Sequence, residues 1–201
     1  MNSQSFSHLP LKCDLIRNLG SLGYQNMTPI QSKSLGAILA DKDVIAQAKT
    51  GSGKTVAFGL GVLNKIDPEK RVIQALILCP TRELSNQVSN EIRRLARQIG
   101  NIKVTSLCGG TPFAPQKASL QHGAHCIVGT PGRIQDHLNR RTLSLSQLKT
   151  LVLDEADRML DMGFSEVLHK IMKAVPKTRQ TLLFSATYPE NIKELSSVYK
   201  R

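Results

Sequence analysis

A unit of three parts recurs along the chain and constrains its fold more than any other feature. A short apolar run, a small polar or glycine-containing motif and a helical pattern follow one another in that order. The apolar runs are Val44–Gln47, Ala75–Cys79, Lys103–Leu107, Cys126–Val128, Leu151–Leu153 and Thr181–Phe184. Strands that alternate with helices predict an α/β domain with a mostly parallel sheet and helices on both faces. Because such sheets bind ligands at the carboxyl ends of their strands, we expect the six motifs to converge along one edge.

Length and composition predict one globular domain. The chain has 201 residues, of which 40% are hydrophobic and 21% charged, and no Pro-rich or Gly/Ser-rich linker divides it. No apolar run approaches the ~18 residues that span a bilayer. The start, Met1–Phe6, lacks the basic residues and apolar core of a signal peptide. We therefore expect a cytoplasmic protein with no membrane partner.

The charge favours a polyanionic partner such as nucleic acid. The formal net charge is +12, from 27 Lys and Arg against 15 Asp and Glu. Residues 1–100 carry 13 basic and 7 acidic groups, and residues 101–201 carry 14 and 8. The excess is therefore spread over the folded body rather than concentrated in a basic arm.

The cysteines and histidines give no convincing metal site. The four cysteines form no C-x-x-C pair, which argues against a zinc ribbon or a redox motif. His122, His125 and Cys126 do cluster in the sequence, but Cys126 opens a run that we interpret as a buried strand. We predict no structural metal.

Residues Ala48–Thr55 match a phosphate-binding loop that has alanine in place of the first glycine. Gly51 and Gly53 allow backbone N–H groups to turn towards phosphates, and the loop opens a helix whose N-terminus adds positive potential. Lys54 is expected to reach the β- and γ-phosphates, and the Thr55 hydroxyl is expected to ligate Mg²⁺. The loop thus predicts a site for a nucleotide with Mg²⁺.

A second motif ends the run Leu151–Leu153 with two carboxylates, Asp154 and Glu155. An isolated Asp-Glu pair is usually a helix N-terminus that complements the dipole. This pair follows the phosphate loop by about a hundred residues and ends an apolar strand, so we interpret it as catalytic. Asp154 is expected to hold Mg²⁺ directly or indirectly, and Glu155 to orient or deprotonate the attacking water.

Two further segments bear on the choice of base. Asn64–Asp67 copies the guanine-reading N-K-x-D pattern, but it begins ten residues after Lys54, or ~15 Å along a helix. We interpret it as a helix end and a turn before Pro68. Gln31 is the better candidate, because its amide offers both the donor and the acceptor that match the adenine edge.

Seven motifs occur in an order that resembles the first RecA-like domain of the DEAD-box RNA helicases. They are Gly23–Gln31, Ala48–Thr55, Pro80–Leu84, Gly109–Gly110, Thr130–Arg133, Asp154–Asp157 and Ser185–Thr187. The resemblance runs from Phe6 to about Tyr199. Within the family, Leu107–Phe113 is similar to the bacterial DEAD-box protein A group, which acts in large ribosomal subunit assembly. The resemblance implies a single RecA-like P-loop domain over residues 1–201, with an adenine-recognition segment at residues 1–31.

The resemblance also implies roles for individual residues. Phe6 would stack on adenine, and Thr28 and Gln31 would complete its pocket, so that the nucleotide is ATP or ADP. The implied nucleotide-binding residues are Phe6, Thr28, Gln31, Ala48, Thr50, Gly51, Ser52, Gly53, Lys54 and Thr55. The residues implied to contact the RNA backbone are Pro80, Thr81, Arg82, Gly110, Thr130, Gly132 and Arg133. Asp157, Ser185 and Thr187 would link the two sites.

Two departures from the family pattern qualify these roles. Met27 stands where the family often has proline, a small change that leaves the Gln31 contact in place. The chain also holds no His-Arg-x-Gly-Arg-like string, so we expect the second RecA-like domain, and any RNA-binding C-terminal domain, to lie outside it. An arginine finger is worth ~10³ to 10⁵ in rate. We therefore predict that this chain alone binds nucleotide, hydrolyses it poorly and unwinds nothing.

Three functional hypotheses remain open at this point. The first is an ATP-dependent RNA helicase in which ATP and RNA close two domains and separate a short duplex. An ATP-gated RNA clamp shares every binding motif, although Glu155 favours hydrolysis. A P-loop enzyme acting on small molecules or DNA explains Lys54 and Asp154 but gives no reason for the RNA-type motifs.

Overall fold

In the computed structural model, which describes residues 5–187, all six apolar runs form strands of one sheet. The strands are β1 (Val44–Gln47), β2 (Ala75–Leu78), β3 (Val104–Leu107), β4 (Cys126–Gly129), β5 (Thr150–Asp154) and β6 (Gln180–Ser185). They lie in the order β1-β6-β5-β2-β4-β3, and every neighbouring pair is parallel. The predicted α/β class and parallel sheet are confirmed, and strand bounds differ from the prediction by one residue at most.

The described chain has eight α-helices, of which the first two precede β1 and the other six connect the strands. They are α1 (Cys13–Ser21), α2 (Pro29–Leu39), α3 (Lys54–Lys65), α4 (Arg82–Leu95), α5 (Phe113–Gln121), α6 (Pro131–Asn139), α7 (Ala156–Asp161) and α8 (Ser165–Ala174). Local chemistry sets several of their starts. Proline stands at the first helical position of α2 and α6, where its missing N–H costs nothing. The Thr81 hydroxyl accepts from Leu84 N at 3.2 Å and so caps α4.

Both faces of the sheet are covered, because side chains alternate along each strand. On β2, Ala75 and Ile77 join a core shared with helices α1 to α4, whereas Leu76 and Leu78 join a second core shared with α6, α7 and α8. Each β2 side chain is completely or almost completely buried. The central strands therefore hold the carboxyl edge of the sheet rigidly, and that edge carries the predicted motifs.

Several sequence predictions concern segments away from that edge. Asn64 lies in the last turn of α3 and accepts from Lys12 N at 2.8 Å, so this N-K-x-D segment is the helix end that we predicted. Both ring nitrogens of His125 face backbone groups, at Lys103 N (3.0 Å) and Pro68 O (3.1 Å). Within residues 5–187 there is no group of three or more metal-ligating side chains.

Two points concern the membrane prediction and the chain ends. No helix of the described residues is long and apolar enough to cross a membrane. Residues 1–4 of the predicted adenine-recognition segment and residues 188–201 of the predicted domain lie outside the described part.

Candidate functional site

The phosphate loop and the two carboxylates lie at neighbouring strand ends. The loop follows β1, Asp154 ends β5, and β6 lies between these two strands. Ala48 N donates to Ser185 O at 2.8 Å, which ties the start of the loop to the end of β6. Residues about a hundred positions apart in the sequence thus share one edge, as the strand pattern predicted.

The phosphate loop requires glycine at Gly53. This residue has φ +90° and stands immediately before the first residue of α3. A Cβ atom there would lie 2.6 Å from Gln31 Nε2 and 2.9 Å from Thr28 Oγ1. Both the backbone conformation and the close approach of α2 therefore exclude a larger side chain. The N-terminus of α3 points its free N–H groups and its positive dipole end at this loop.

Lys54 is ion-paired with both carboxylates of the second motif. Its Nζ lies 2.8 Å from Asp154 Oδ1 and 3.3 Å from Glu155 Oε1. The exposed fractions are 3% for Lys54, 0% for Asp154 and 7% for Glu155, so the cluster is shielded from water. Glu155 has φ +54°, which is unusual for a residue with a side chain. It also accepts from Thr50 Oγ1 at 2.6 Å.

The environment moves the pKa values of the two carboxyls apart. Burial raises the pKa of Asp154, although the Lys54 ammonium opposes this shift. Burial also acts to raise the pKa of Glu155, but the hydrogen bond from Thr50 and the charge of Lys54 outweigh it and lower that pKa. Arg158 Nη1, which lies 3.5 Å from Glu155 Oε2, also lowers the pKa of Glu155. The ionised form of Glu155 is therefore favoured at neutral pH.

The cluster has the donor atoms that a magnesium-bound phosphate requires. Asp154 Oδ2 and Ser52 Oγ are buried, and neither has a hydrogen-bond partner among the described residues. Buried polar atoms of this kind usually find a partner, and a carboxylate oxygen is a preferred ligand of Mg²⁺. The residues present therefore fit a nucleotide with its cation.

A cavity of about 410 Å³ opens beside the phosphate loop. Its lining residues are Tyr24, Thr50, Gly51, Gly53, Lys54, Thr55, Val56, Leu84, Gln87, Val88 and Glu91. Tyr24 OH donates to Glu91 Oε1 at 2.8 Å, and the Arg94 guanidinium lies 5.7 Å from the Tyr24 ring centroid. The cavity thus combines one aromatic ring with polar groups and borders the loop that is predicted to hold phosphates.

The residues predicted to recognise adenine lie close to the loop but are engaged within the protein. Phe6 is 3% exposed and packs edge-on against Tyr24, with ring centroids 6.4 Å apart. Gln31 is 2% exposed; its Oε1 accepts from Thr28 N at 2.8 Å and its Nε2 donates to Gly53 O at 3.0 Å. The roles of Phe6 and Gln31 towards adenine remain predictions, and the aromatic ring that borders the cavity is Tyr24.

The residues predicted to bind RNA lie at the ends of β2, β3 and β4. Arg82 is half-exposed, and its Nη1 would lie 3.3 Å from a Cβ atom placed on Gly110, which has φ +73°. Thr130 Oγ1 accepts from Gly109 N at 3.4 Å. Gly132 is exposed, with nothing within 4 Å of a Cβ atom placed there. The structure therefore brings the motifs after three strands together around the glycine pair.

Three residues of the predicted RNA set are turned inward. Pro80 is buried, and the Thr81 hydroxyl is used to cap α4. The Arg133 side chain is only 13% exposed and donates from Nη1 and Nη2 to Thr111 O at 3.1 and 3.0 Å. It also donates to Gln116 Oε1 at 3.0 Å. Arg133 thus braces the loop that contains the glycine pair.

The three residues predicted to link the sites are joined by hydrogen bonds. Thr187 donates to Asp157 Oδ2 from its backbone N at 2.9 Å and from its hydroxyl at 3.0 Å. Asp157 N donates to Ser185 Oγ at 3.3 Å. Burial acts to raise the pKa of Asp157, but the bonds from Thr187 outweigh it and lower that pKa. Because Ser185 O also accepts from Ala48, this chain of contacts reaches the phosphate loop.

Sequence reasoning missed three residues that shape the site: Tyr24, Arg158 and Gln116. Tyr24 lies inside the motif Gly23–Gln31, so an aromatic residue close to a predicted base-reading glutamine was an available signal. Arg158 follows the Asp154–Asp157 motif directly, but only its position on α7 brings it to Glu155. Gln116 carries no sequence signal, since a single glutamine on a polar helix is usually a solvated residue.

The comparisons with known proteins all indicate the same family. A family model described as DEAD/DEAH box helicase matches residues 28–195. The ATP-dependent RNA helicase DbpA of Escherichia coli strain K12 is 59% identical over 186 residues, which is 92% of this chain and 41% of that protein. The ATP-dependent RNA helicase CshA of Listeria monocytogenes is 47% identical over 190 residues, covering 94% of this chain and 36% of that protein.

A solved structure has the same fold. The crystal structure of a DEAD box protein from the hyperthermophile Methanococcus jannaschii superimposes with a TM-score of 0.93 at 41% identity. The match covers 98% of this chain and 53% of that one. The chain spans about two fifths of the length of the two curated helicases, at 41% and 36%.

Proposed function

The chain belongs to the DEAD/DEAH box helicase family, and from that premise we propose that it is the N-terminal RecA-like motor domain of an ATP-dependent RNA helicase. In this proposal the domain binds ATP and the backbone of single-stranded RNA. With a second RecA-like domain supplied by a longer protein, it hydrolyses ATP to unwind short RNA duplexes. The observation that carries the proposal is the buried cluster in which Lys54 meets Asp154 and Glu155 at 2.8 and 3.3 Å.

A bound nucleotide can replace the contacts that Lys54 makes with Asp154 and Glu155. Lys54 contacts both carboxylates, and Thr50 donates its hydroxyl to Glu155. In the proposed complex, Lys54 turns to the β- and γ-phosphates, while Asp154 and Thr55 hold Mg²⁺. A Mg²⁺ ion held by Asp154 and Thr55 would supply positive charge against the charge that develops on the phosphates. Glu155 then orients the attacking water or accepts its proton.

We infer that the nucleobase occupies the cavity beside Tyr24. Stacking on an aromatic ring is worth ~1–3 kcal/mol per base and suits any nucleobase. Selection of adenine then depends on amide and carboxylate groups near the ring, with Gln31 as the predicted reader. Phe6 packs edge-on against the Tyr24 ring, with centroids 6.4 Å apart, and restricts its movement.

RNA is proposed to lie across the ends of β2, β3 and β4. The half-exposed Arg82 guanidinium supplies positive charge there, and Gly110 and Gly132 allow close approach of the phosphate backbone. Backbone contacts of this kind bind RNA without reading its sequence. Asp157, Ser185 and Thr187 are hydrogen-bonded to one another, and Ser185 O accepts from Ala48 of the phosphate loop. We propose that these three residues couple nucleotide binding to RNA binding.

Ribosomal RNA is the substrate class that we propose for the intact protein. Support comes from the 59% identity to DbpA and from the likeness of residues 107–113 to the bacterial DEAD-box protein A group. A second candidate function, an ATP-gated RNA clamp without significant unwinding, uses the same binding residues. Glu155 favours the helicase, because a clamp requires binding without turnover.

The proposal is tested by calorimetric titration of this chain with Mg²⁺-ADP and with Mg²⁺-GDP. We expect binding of ADP in preference to GDP, and weaker ADP binding by Tyr24→Ala and Gln31→Ala. Equal binding of both nucleotides would contradict the adenine pocket but leave the phosphate loop. Rapid RNA-stimulated hydrolysis by these 201 residues alone would contradict the need for a second domain.

A further inference from the structure

The side chain of Gln116, in α5, lies at the centre of a hydrogen-bond network behind the predicted RNA-binding loop. Its Nε2 donates to Cys108 O at 2.9 Å and to Thr111 Oγ1 at 2.6 Å. Its Oε1 accepts from Arg133 Nη1 at 3.0 Å and lies 3.1 Å from His137 Nε2. Both amide hydrogens and both lone pairs of the amide oxygen are therefore used.

These partners fix the orientation of the amide and the tautomer of the histidine. A carbonyl only accepts, so the amide nitrogen must face Cys108, and a guanidinium only donates, so the amide oxygen must face Arg133. That oxygen requires a hydrogen on His137 Nε2. In the neutral ring, Nδ1 accepts the single hydroxyl hydrogen of Thr142 at 2.8 Å, so that hydrogen is not donated to His137 O, 3.1 Å away. Burial, followed by the charge of Arg133, lowers the pKa of His137 and favours this neutral form.

His137 is itself held firmly by its surroundings. It is fully buried in α6, and its ring stacks on Phe113 with centroids 4.2 Å apart and planes 18° apart. The Arg140 guanidinium carbon lies 4.4 Å from the Phe113 centroid, and Arg140 Nε donates to Asp136 at 2.8 Å. Stacked rings and a guanidinium in a cation–π contact give the histidine one position.

Other contacts also hold the loop of residues 108–112. Arg133 donates twice to Thr111 O, and Thr111 Oγ1 donates to Cys108 O at 3.0 Å. Gly110 has φ +73°, and the Arg82 guanidinium borders it. Gly109 N reaches Thr130 Oγ1 only at 3.4 Å, a long hydrogen bond. Gln116 bonds to Cys108, to Thr111 and to Arg133, so its side chain connects these supports to one another.

We propose that Gln116 and His137 are positioning residues for RNA binding, which hold the loop of residues 108–112 and the Arg133 guanidinium in one arrangement. This inference rests on the proposed function, because the loop contacts RNA only under that proposal. Neither side chain needs to touch RNA. Because they order the loop before RNA binds, the loop loses less conformational entropy on binding.

The test measures the affinity of this chain for a fluorescein-labelled oligouridylate at low salt, by fluorescence anisotropy. Gln116→Ala should weaken RNA binding about tenfold. Gln116→Glu keeps the acceptor for Arg133 but turns an oxygen towards the Cys108 carbonyl, so it should weaken binding similarly. His137→Gln retains a donor towards Gln116 and should stay close to wild type, whereas His137→Leu should reproduce the loss. Gln121→Ala, an exposed glutamine on the same helix, is the matched control.

Two further readouts separate positioning from a general structural role. The affinity for Mg²⁺-ADP should stay within about twofold of wild type in every variant, since the network lies away from the phosphate loop. Hydrogen exchange at the amides of residues 109–111 should accelerate in Gln116→Ala. Wild-type RNA affinity in both Gln116 variants, or an equal loss of ADP and RNA affinity, would overturn the inference. If wild type itself fails to bind the oligouridylate, the proposed function fails and the inference fails with it.

Discussion

Removal of the Lys54 ammonium should destabilise the fold, because it leaves a buried carboxylate without its partner. Asp154 is completely buried, and Lys54 Nζ lies 2.8 Å from its Oδ1. Loss of one member of a buried ion pair typically costs about 3–5 kcal/mol. We therefore expect Lys54→Met to lose about that much free energy of unfolding at pH 8. Urea denaturation followed by far-ultraviolet circular dichroism measures the loss, since the chain has no tryptophan.

The pH dependence of this loss has a defined sign. Burial already raises the pKa of Asp154 above its usual 3.8, and Lys54 opposes that shift. Without Lys54, the folded state holds a proton on Asp154 more tightly than the unfolded state does. The free energy of unfolding of the variant should therefore fall as the pH rises through the raised pKa, and recover as the pH is lowered towards the usual value of 3.8.

Two further variants test the reasoning. Lys54→Met combined with Asp154→Asn removes the unpaired charge and should restore most of the loss at pH 8. Lys70→Met breaks a surface ion pair with Asp67, with Lys70 67% exposed, and should cost less than about 1 kcal/mol. Wild-type stability of Lys54→Met at pH 8, or no recovery on neutralising Asp154, would refute the account.

Two more predictions concern the phosphate loop and hydrolysis. Gly53→Ala should destabilise the fold and weaken Mg²⁺-ADP binding at least tenfold, because its Cβ atom would lie 2.6 Å from Gln31 Nε2. Gly36→Ala, in an open position of α2, should stabilise the helix by up to about 1 kcal/mol, and thermal unfolding compares the two. Glu155→Gln in the full-length protein should abolish ATP turnover while ATP binding persists, as phosphate release and calorimetry would show. ATP turnover at the wild-type rate in Glu155→Gln would remove Glu155 from the catalytic step.

The elements and the location of the site arise from local sequence patterns. An apolar run with a glycine or carboxylate motif at its end specifies a strand and the turn after it, because side-chain alternation and turn geometry act over a few residues. The six strands, the phosphate loop before α3 and the carboxylates at the end of β5 were predictable for this reason. Parallel strands then bring these motifs to one edge whatever the order of the strands.

The tertiary structure decided which side chains face the site and which are buried behind it. Packing between different segments of the chain decided three features: the order of the strands, the inward turn of Arg133 towards Thr111, and the burial of Phe6 against Tyr24. Gln116 gave no signal in the sequence. A glutamine is the same letter whether its side chain is exposed to solvent or hydrogen-bonded to a loop. Composition and spacing determine which chemistry a segment can perform, whereas long-range packing determines the direction in which each side chain points.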